Sequence, residues 1–261
     1  MNAEPESPIL EVESLSHHYG SLVGCAHISF RLWPGEILGI VGESGSGKTT
    51  VLKCVSGRMS PSWGSVYYRS LEHGRLDFYD TPLSLKRRIM RTEMGFVHQN
   101  AWDGLRMRIS AGGNIGERLL TNGARHYGRI RGRALEWLER VEIETERIDD
   151  APATFSGGMQ QRLQIARNLV TSPRVLFMDE PTSSLDVSVQ ARLLDILRRL
   201  VMELGLSMLI VTHDLAVARL LAHRLFVMKS GEVVETGLTD QVLDDPHHPY
   251  TQLLVSSILP P

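Results

Sequence analysis

Short apolar runs alternate with longer amphipathic segments along most of the chain. The runs Glu36–Val41, Val175–Met178 and Met208–Thr212 have the length and composition of strands that are buried on both faces. Between the last two runs, apolar side chains recur at the spacing of one helix face, at Val189, Leu193, Leu197, Leu200 and Leu204. This alternation predicts an α/β core with mostly parallel strands and right-handed crossovers.

Three regions depart from this core pattern. From about Ile9 to Arg31 the segments are shorter and alternate more, which predicts an antiparallel β-subdomain. Residues 100–155 show helical spacing without a buried-strand signal and predict an inserted α-helical subdomain. After Gly231, residues 232–235 predict a hairpin arm, followed by a C-terminal tail of about residues 237–261 that ends in an apolar helix. We expect residues 1–261 to form a single domain with these additions.

Composition narrows the class of protein. The 28 basic and 30 acidic residues give a formal charge of -2, which argues against non-specific electrostatic binding of nucleic acid. Cys25 and Cys54 are the only cysteines, so we expect no disulfide framework and a cytoplasmic location. Met1–Pro8 lacks the apolar core of a signal peptide, and no apolar stretch approaches the roughly 20 residues that span a bilayer. We therefore expect no direct membrane insertion, and any membrane role would need a separate subunit.

A glycine-rich segment follows the first buried run and precedes a predicted helix. Its expected ligand-binding residues are Gly42, Glu43, Ser44, Gly45, Ser46, Gly47, Lys48, Thr49 and Thr50. Glycines let backbone N–H groups turn toward the phosphates of a nucleotide, and the helix start adds positive charge. Lys48 can neutralise phosphate oxygens and the Thr49 hydroxyl can ligate Mg²⁺. The alternative is a plain glycine-rich turn.

The buried run that begins at Val175 ends in two carboxylates, Asp179 and Glu180. Phosphoryl transfer uses such an arrangement, because Asp179 can hold Mg²⁺ and Glu180 can polarise the attacking water. Without a phosphate loop upstream, an ordinary polar loop or helix cap would be the better interpretation.

A second candidate anion site precedes the helical run Ile165–Leu169. Ser156 can cap this helix, while Gly157 and Gly158 allow close approach of backbone to phosphate. A simple capped helix explains the same residues when they are considered alone.

The order and spacing of these motifs closely resemble those of the ATP-binding cassette (ABC) family along essentially the whole chain. The resemblance implies a P-loop ATPase that binds ATP and Mg²⁺ and dimerises on ATP binding. It further implies that Ser156, Gly157, Gly158 and Gln160 contact the nucleotide of the opposite subunit. A small-molecule kinase could share the phosphate loop, but it would not explain this signature element.

The resemblance also assigns roles to single residues. Gln99 would be the lid glutamine at the metal site, and His213 the catalytic histidine that contacts the γ-phosphate beside Glu180 and Lys48. Ser184 and Asp186 would belong to a dimer-crossing loop, and Tyr19 would stack on adenine. Each has an alternative: Asp186 may cap the next helix, His213 may be an ordinary strand-end residue, and Tyr19 may fill a gap in the β-subdomain.

Two departures bear on the subtype. Phe155 and Met159 stand where the family most often has leucine and glutamine. The tail segment 244–254 resembles that of ATPase subunits of dipeptide and oligopeptide importers. The segments 110–118, 123–128 and 147–150, with Phe155 and Met159, resemble the ABC proteins of bacterial carbon-phosphorus lyase systems, which degrade phosphonates.

The lyase resemblance implies a partner, the carbon-phosphorus lyase core complex, and leaves peptide import as the alternative. This chain would not itself cleave the carbon-phosphorus bond, since two cysteines cannot hold an iron-sulfur cluster. We expect residues 100–131 to move against the partner when the ATP site closes, with Ile109, Ile115 and Tyr127 as test positions. The basic and aromatic segment 125–133 is expected to be a docking or solvated surface and not an RNA site.

Overall fold

The computed structural model describes residues 7–258, which form two compact units. The first comprises residues up to Arg87 together with those from Gly205 onward, and the second comprises Arg88–Leu204. The predicted tail therefore belongs to the first unit, and its last residues, 259–261, lie outside the described range. The predicted helical subdomain lies within the second unit.

Strands and helices alternate through most of both units. Within residues 7–258 the strands, in chain order, are β1 (Leu10–Tyr19), β2 (Leu22–Leu32), β3 (Ile37–Val41), β4 (Trp63–Ser70), β5 (Gly74–Asp77), β6 (Met94–Val97), β7 (Val175–Asp179), β8 (Ser207–Thr212), β9 (Arg224–Lys229) and β10 (Glu232–Leu238). The helices of the same range are α1 (Lys48–Val55), α2 (Leu83–Thr92), α3 (Ala101–Gly104), α4 (Ala111–Thr121), α5 (Tyr127–Arg140), α6 (Gly157–Leu169), α7 (Val187–Leu204), α8 (Leu215–Leu221), α9 (Thr239–Asp244) and α10 (Pro249–Ile258). Thr145–Asp149 and Pro152–Thr154 are short 3-10 turns.

The first unit contains two kinds of sheet. One is antiparallel with strand order β2-β1-β4-β5, which confirms the antiparallel prediction for the N-terminal segment and adds two strands that the sequence pattern did not single out. In the other, β3 lies between β8 and β9 and is parallel to both, while β10 returns antiparallel to β9. Every residue of β3 and β8 is buried, as their apolar runs predict.

In the second unit, β6 and β7 pair in parallel and both are fully buried. Residues 100–155 form α3, α4, α5 and the 3-10 turns, as predicted. Helix α7 buries Leu193, Leu197 and Leu200 on one face, while Arg192 and Arg199 are exposed. The helical pattern read from the sequence is thus confirmed, although α7 starts two residues earlier than the first periodic position.

No helix among residues 7–258 combines the length and the apolar character needed to cross a membrane.

A buried asparagine fixes the loop that enters α4. Asn114 has no exposed surface; its Oδ1 accepts the N–H of Arg106 at 2.8 Å. Its Nδ2 donates to the carbonyls of Arg106, Ile109 and Ser110 at 2.9–3.1 Å. Because these backbone groups need partners, one side chain determines how residues 106–110 fold back on the helix.

Replacing Asn114 with alanine should lower the free energy of unfolding by about 1–3 kcal/mol, because buried carbonyls and one N–H lose their partner. Chemical denaturation measures the loss, and hydrogen exchange should locate it in residues 106–110. Asn122→Ala, at the exposed C-terminal end of the same helix, is the control. Equal stability of the two variants would contradict this role.

Candidate functional site

The predicted phosphate loop connects β3 to α1 in the first unit. Gly42, Gly45 and Gly47 have φ values of 148°, 82° and 99°, a region that favours glycine. A Cβ on Gly42 would lie 2.2 Å from the carbonyl oxygen of Met228, and one on Gly47 would lie 2.2 Å from that of Gly24. The loop therefore needs glycine at these positions both for its backbone shape and for close approach to neighbouring strands.

Lys48 points back into this loop. Its side chain is almost fully buried, with the residue 4% exposed, and its Nζ donates to the carbonyl oxygens of Gly42 and Glu43, each at 2.7 Å. Helix α1 begins at Lys48, has no acidic residue in its first turn, and is preceded by Gly47, which supplies no side-chain cap. A buried ammonium group and the positive end of a helix therefore converge on one loop, an arrangement suited to binding phosphate.

Neighbouring segments hold the loop from outside. The N–H of Gly231, in the turn between β9 and β10, donates to the carbonyl of Ser46 at 3.0 Å. The N–H of Glu43 donates to the hydroxyl oxygen of Tyr250, on α10, at 3.1 Å. Tyr250 was absent from the sequence-based site, since no pattern places a residue of the tail beside this loop.

Two further predicted residues of the first unit lie at its surface. Tyr19, at the end of β1, is 49% exposed, and its hydroxyl lies 3.4 Å from Thr50 Oγ1 at the start of α1. Its ring packs edge-on against His17 and is too exposed to fill a closed gap in the sheet. His213 follows β8 and is exposed, and the next residue, Asp214, caps α8.

The second unit brings the predicted residues Gln99 and Glu180 together beside Asp179 in the chain. Asp179 ends β7 and is 7% exposed, and Glu180 follows it with a left-handed backbone, φ 42°. Gln99 Nε2 donates to Glu180 Oε2 at 3.3 Å and to Ser183 Oγ at 3.0 Å. The predicted lid glutamine and the predicted catalytic carboxylate are therefore in direct contact.

Buried amides of α6 support the lid glutamine. The carbonyl of His98, one residue before Gln99, accepts from Gln161 Nε2 at 3.1 Å and from Gln164 Nε2 at 3.2 Å. Asn168 Oδ1 accepts the N–H of Phe96 at 3.0 Å. The sequence signal for these hydrogen bonds is the presence of polar residues at 161, 164 and 168 on an otherwise apolar helix face, which was not among the predicted features.

The signature residues stand at the start of the same helix. Ser156 Oγ accepts the N–H of Met159 at 3.3 Å, as a cap, and Gly157 is exposed. A Cβ on Gly158 would come within 2.3 Å of Val189 Cγ1, so close packing on α7 requires this glycine. Gln160 Nε2 donates to the carbonyls of Pro152 and Phe155, and it thereby supports the turn before the helix.

Arg147 explains the two departures from the usual signature. Its guanidinium lies 4.4 Å from the centre of the Phe155 ring and donates to Met159 Sδ at 3.6 Å. It also pairs with Asp150 at 2.8 Å and donates to Thr154 Oγ1 at 3.2 Å. Phenylalanine and methionine thus supply an aromatic face and a soft acceptor for this cation, which leucine and glutamine would not.

The predicted dimer-crossing loop precedes α7. Asp186 Oδ1 accepts from Ser188 Oγ at 2.8 Å and from the N–H of Val189 at 3.0 Å, so the helix-capping interpretation is what the structure shows. The Val189 amide, and then the Ser188 hydroxyl, hold the pKa of Asp186 below its usual range. Ser184 is exposed.

Comparisons with known proteins show which family the chain resembles. The family model described as "ABC transporter" matches residues 25–183, and the one described as "Oligopeptide/dipeptide transporter, C-terminal region" matches residues 234–261. The chain is 65% identical to the "Putative phosphonates utilization ATP-binding protein PhnK" of Escherichia coli (strain K12), over 97% of this chain and 98% of that protein. It is 37% identical to the "Dipeptide transport ATP-binding protein DppF" of the same organism, over 97% of this chain and 77% of that one.

Solved structures show the same fold. The "Dimeric structure of a post-hydrolysis state of the ATP-binding cassette MJ0796 bound to ADP and Pi" is 30% identical, covers 88% of this chain and 98% of its own, and superposes with a TM-score of 0.79. A cassette of Clostridium perfringens, cbiO1 of the cbiONQ transporter complex, is 28% identical over 98% of this chain and 97% of its own, with a TM-score of 0.79.

Arg147→Met should lower the kcat of ATP hydrolysis about 3- to 10-fold, because the segment that precedes Ser156 loses its ionic and cation-π contacts. A 10-fold loss corresponds to a rise of roughly 1.4 kcal/mol in the activation free energy. The dissociation constant for ATP should stay unchanged, since Arg147 supports the signature element and not the phosphate loop. Steady-state kinetics and nucleotide titration separate the two quantities. Arg133→Met, which removes a surface pair with Glu136, is the matched control and should change neither.

Proposed function

Since this chain belongs to the ABC family and hydrolyses ATP, we propose that it works as a homodimeric motor of a carbon-phosphorus lyase assembly. Two copies would enclose two ATP molecules, and the cycle of closing and opening would act on the lyase core complex during phosphonate breakdown. The observation that carries the proposal is the 65% identity, over nearly full length, to a protein named for phosphonate utilisation.

We propose separate roles in ATP binding and hydrolysis for residues of each unit. The first unit contributes the phosphate loop, with Lys48 exchanging its loop carbonyls for phosphate oxygens, and Tyr19 as a stacking face for adenine. The second unit contributes Glu180, which accepts a proton from the attacking water as the bond between the γ-phosphorus and the β–γ bridging oxygen breaks. His213 would contact the γ-phosphate, and ADP and phosphate would leave.

We propose Thr49, Asp179 and Gln99 as the protein ligands of a magnesium ion, on the chemistry of their side chains. The Thr49 hydroxyl, the Asp179 carboxylate at a strand end and the Gln99 amide are oxygen donors, which Mg²⁺ prefers, and ATP would complete its ligands. When bound, the ion neutralises charge on the β- and γ-phosphates. This role is supported by the place of Asp179 at the end of β7, a strand whose residues are all buried.

Dimerisation would complete the site with the signature of the opposite copy. Ser156, Gly157 and Gly158 form the capped start of a helix. Because Gly157 has no side chain, the phosphate of the ATP bound to the opposite copy could approach the helix backbone. The solved relatives described as dimers support this arrangement. In it, Ser184 and Asp186 would lie in the dimer-crossing loop, and the carbonyl-bound Gln160 would reorient toward the nucleotide or support the signature from behind.

The helical subdomain offers a surface for the lyase partner. A cavity of about 250 Å³ opens between α4, α5 and the 3-10 turn that contains Asp149, and glycines 112, 113 and 116 form one wall of it. Tyr127 lines the cavity and is 72% exposed, and Ile109, which directly precedes the cavity-lining Ser110 in the chain, is 41% exposed. Ile115, the third test position, is fully buried and belongs to the core of the subdomain, so its substitution would not test a docking surface.

Peptide import is the second candidate function, because the tail matches the oligopeptide and dipeptide transporter region and a dipeptide transport protein is 37% identical. The lower identity places it second.

Both cysteines are free and buried, which accords with the proposed cytoplasmic location.

Glu180→Gln should keep ATP binding but slow hydrolysis at least about 100-fold, because it preserves shape and removes the proton acceptor. The variant should elute as an ATP-dependent dimer in size-exclusion chromatography. Adding Ser156→Arg should return it to a monomer by placing bulk and charge at the opposite phosphate. Hydrolysis by Glu180→Gln at the parent rate would contradict the role of Glu180.

Tagged Glu180→Gln, isolated with ATP from its native cells grown on phosphonate, should retain the lyase core subunits by mass spectrometry. Tyr127→Asp combined with Ile109→Asp should abolish this retention, since two charges would face an apolar partner surface. Leu71→Asp, at a comparably exposed leucine of the first unit, is the control. Recovery of two membrane permease subunits instead would establish the import function.

A further inference from the structure

The contact between the tail and the phosphate loop joins parts of the chain that are 207 residues apart. Tyr250, the second residue of α10, is 5% exposed, and its hydroxyl oxygen accepts the N–H of Glu43 at 3.1 Å. Both residues belong to the first unit. The tail therefore packs its one buried aromatic hydroxyl against the backbone that is to bind ATP.

The peptide between Gly42 and Glu43 is held on both of its sides. Its carbonyl oxygen, that of Gly42, accepts from Lys48 Nζ at 2.7 Å, and its N–H donates to Tyr250. A trans peptide is planar with the two groups on opposite sides, so these two bonds together determine which way the plane faces. Rotating the plane would turn an N–H toward the Lys48 ammonium and would lose both bonds.

The tail that carries Tyr250 is itself anchored to the hairpin β9–β10. The Glu235 carboxylate accepts the N–H groups of His247 and His248 at 2.8 and 3.1 Å, and His248 Nδ1 accepts the N–H of Tyr250 at 3.1 Å. Lys229 Nζ lies 4.9 Å from the centre of the Tyr250 ring. These contacts hold the aromatic ring in place and make the hydroxyl a fixed acceptor.

The protonation states suit this anchor. Burial works against ionisation of Glu235, but hydrogen bonds, including those from the two histidine amides, outweigh it and lower the pKa of Glu235. Burial, with a contribution from the Glu43 carboxylate, raises the pKa of Tyr250, so the phenol stays neutral.

We propose that Tyr250 is a positioning residue for ATP binding, through which the C-terminal tail holds the first peptide of the phosphate loop in its binding orientation. The proposal rests on the ATP site proposed above. Lys48 also bonds that peptide. When Lys48 turns to the phosphates, the Gly42 carbonyl gives up this donor, and the Tyr250 hydrogen bond continues to fix the plane.

The test is Tyr250→Phe in the full chain, which removes one oxygen and keeps the ring. We expect KM and the dissociation constant for ATP to rise about fivefold, equivalent to the roughly 1 kcal/mol that one hydrogen bond contributes, with kcat within about twofold of the parent. Tyr79→Phe is the matched control, since the Tyr79 hydroxyl donates to the carbonyls of Met59, at 2.6 Å, and Cys54, away from the loop. It should lower Tm and leave KM unchanged.

A second variant tests the anchor. Glu235→Gln turns one acceptor oxygen into a donor that faces a backbone N–H, and it should raise KM in the same direction. Because both substitutions act on one chain of contacts, the double variant should raise KM by less than the product of the single effects. An unchanged KM in Tyr250→Phe, or an equal rise in Tyr79→Phe, would overturn the proposal.

Lys48→Ala distinguishes this inference from the proposed site. If Lys48→Ala loses ATP binding and Tyr250→Phe binds ATP normally, only the role of Tyr250 is refuted and the ATP site stands. Retention of ATP binding in Lys48→Ala would refute the ATP site itself.

Discussion

Backbone N–H and carbonyl groups at the ends of buried strands must find partners, and both units are organised around this requirement. In the first unit, the phosphate loop follows the fully buried β3, and its carbonyls accept from Lys48 and from the amide of Gly231. In the second, β6 is fully buried, and groups at and just beyond its end are matched by the side chains of Gln164 and Asn168. Side chains satisfy several of these groups, because regular sheet pairing ends there.

Helix α6 shows how this constraint links separate functions. Its first turn carries the signature serine and glycines, its middle holds the carbonyl of His98 before the lid glutamine, and Asn168 near its end binds β6. Gln99 in turn contacts Glu180. If Gln99 has the proposed lid role, its segment is linked directly to the helix whose first turn is proposed to contact the opposite nucleotide. The link consists of the hydrogen bonds from Gln161 and Gln164 to the carbonyl of His98.

The sequence predicted the features that depend on local pattern. Buried strands such as β3 and β8, the apolar face of α7 and the phosphate loop follow from periodicity and from glycine and lysine chemistry at fixed spacing. Features that depend on tertiary contact were missed. Tyr250 and Glu43 meet across 207 residues, and the contacts of Arg147 with Phe155 and Met159 join a turn to a helix start.

The burial of Ile115 was beyond the sequence for a similar reason. Its apolar side chain and its place in a helical segment are compatible with either face of α4, and the structure buries Ala111 and Ile115 completely. Periodicity identifies a helix more readily than it identifies which of several apolar residues meet solvent in a short, glycine-rich one. Strands β4 and β5 were overlooked because an exposed antiparallel sheet has a weaker apolar signal than a buried parallel one.

The left-handed backbone of Glu180 has a consequence for how this protein can evolve. A side chain with φ 42° stores strain of about 1 kcal/mol, which glycine would relieve and asparagine would reduce. Selection for heat resistance alone would thus favour replacing the residue proposed to accept the proton from water. Retaining glutamate at this position costs stability that the buried strands around it must offset, and laboratory evolution without an activity screen should drift toward robust but inert proteins.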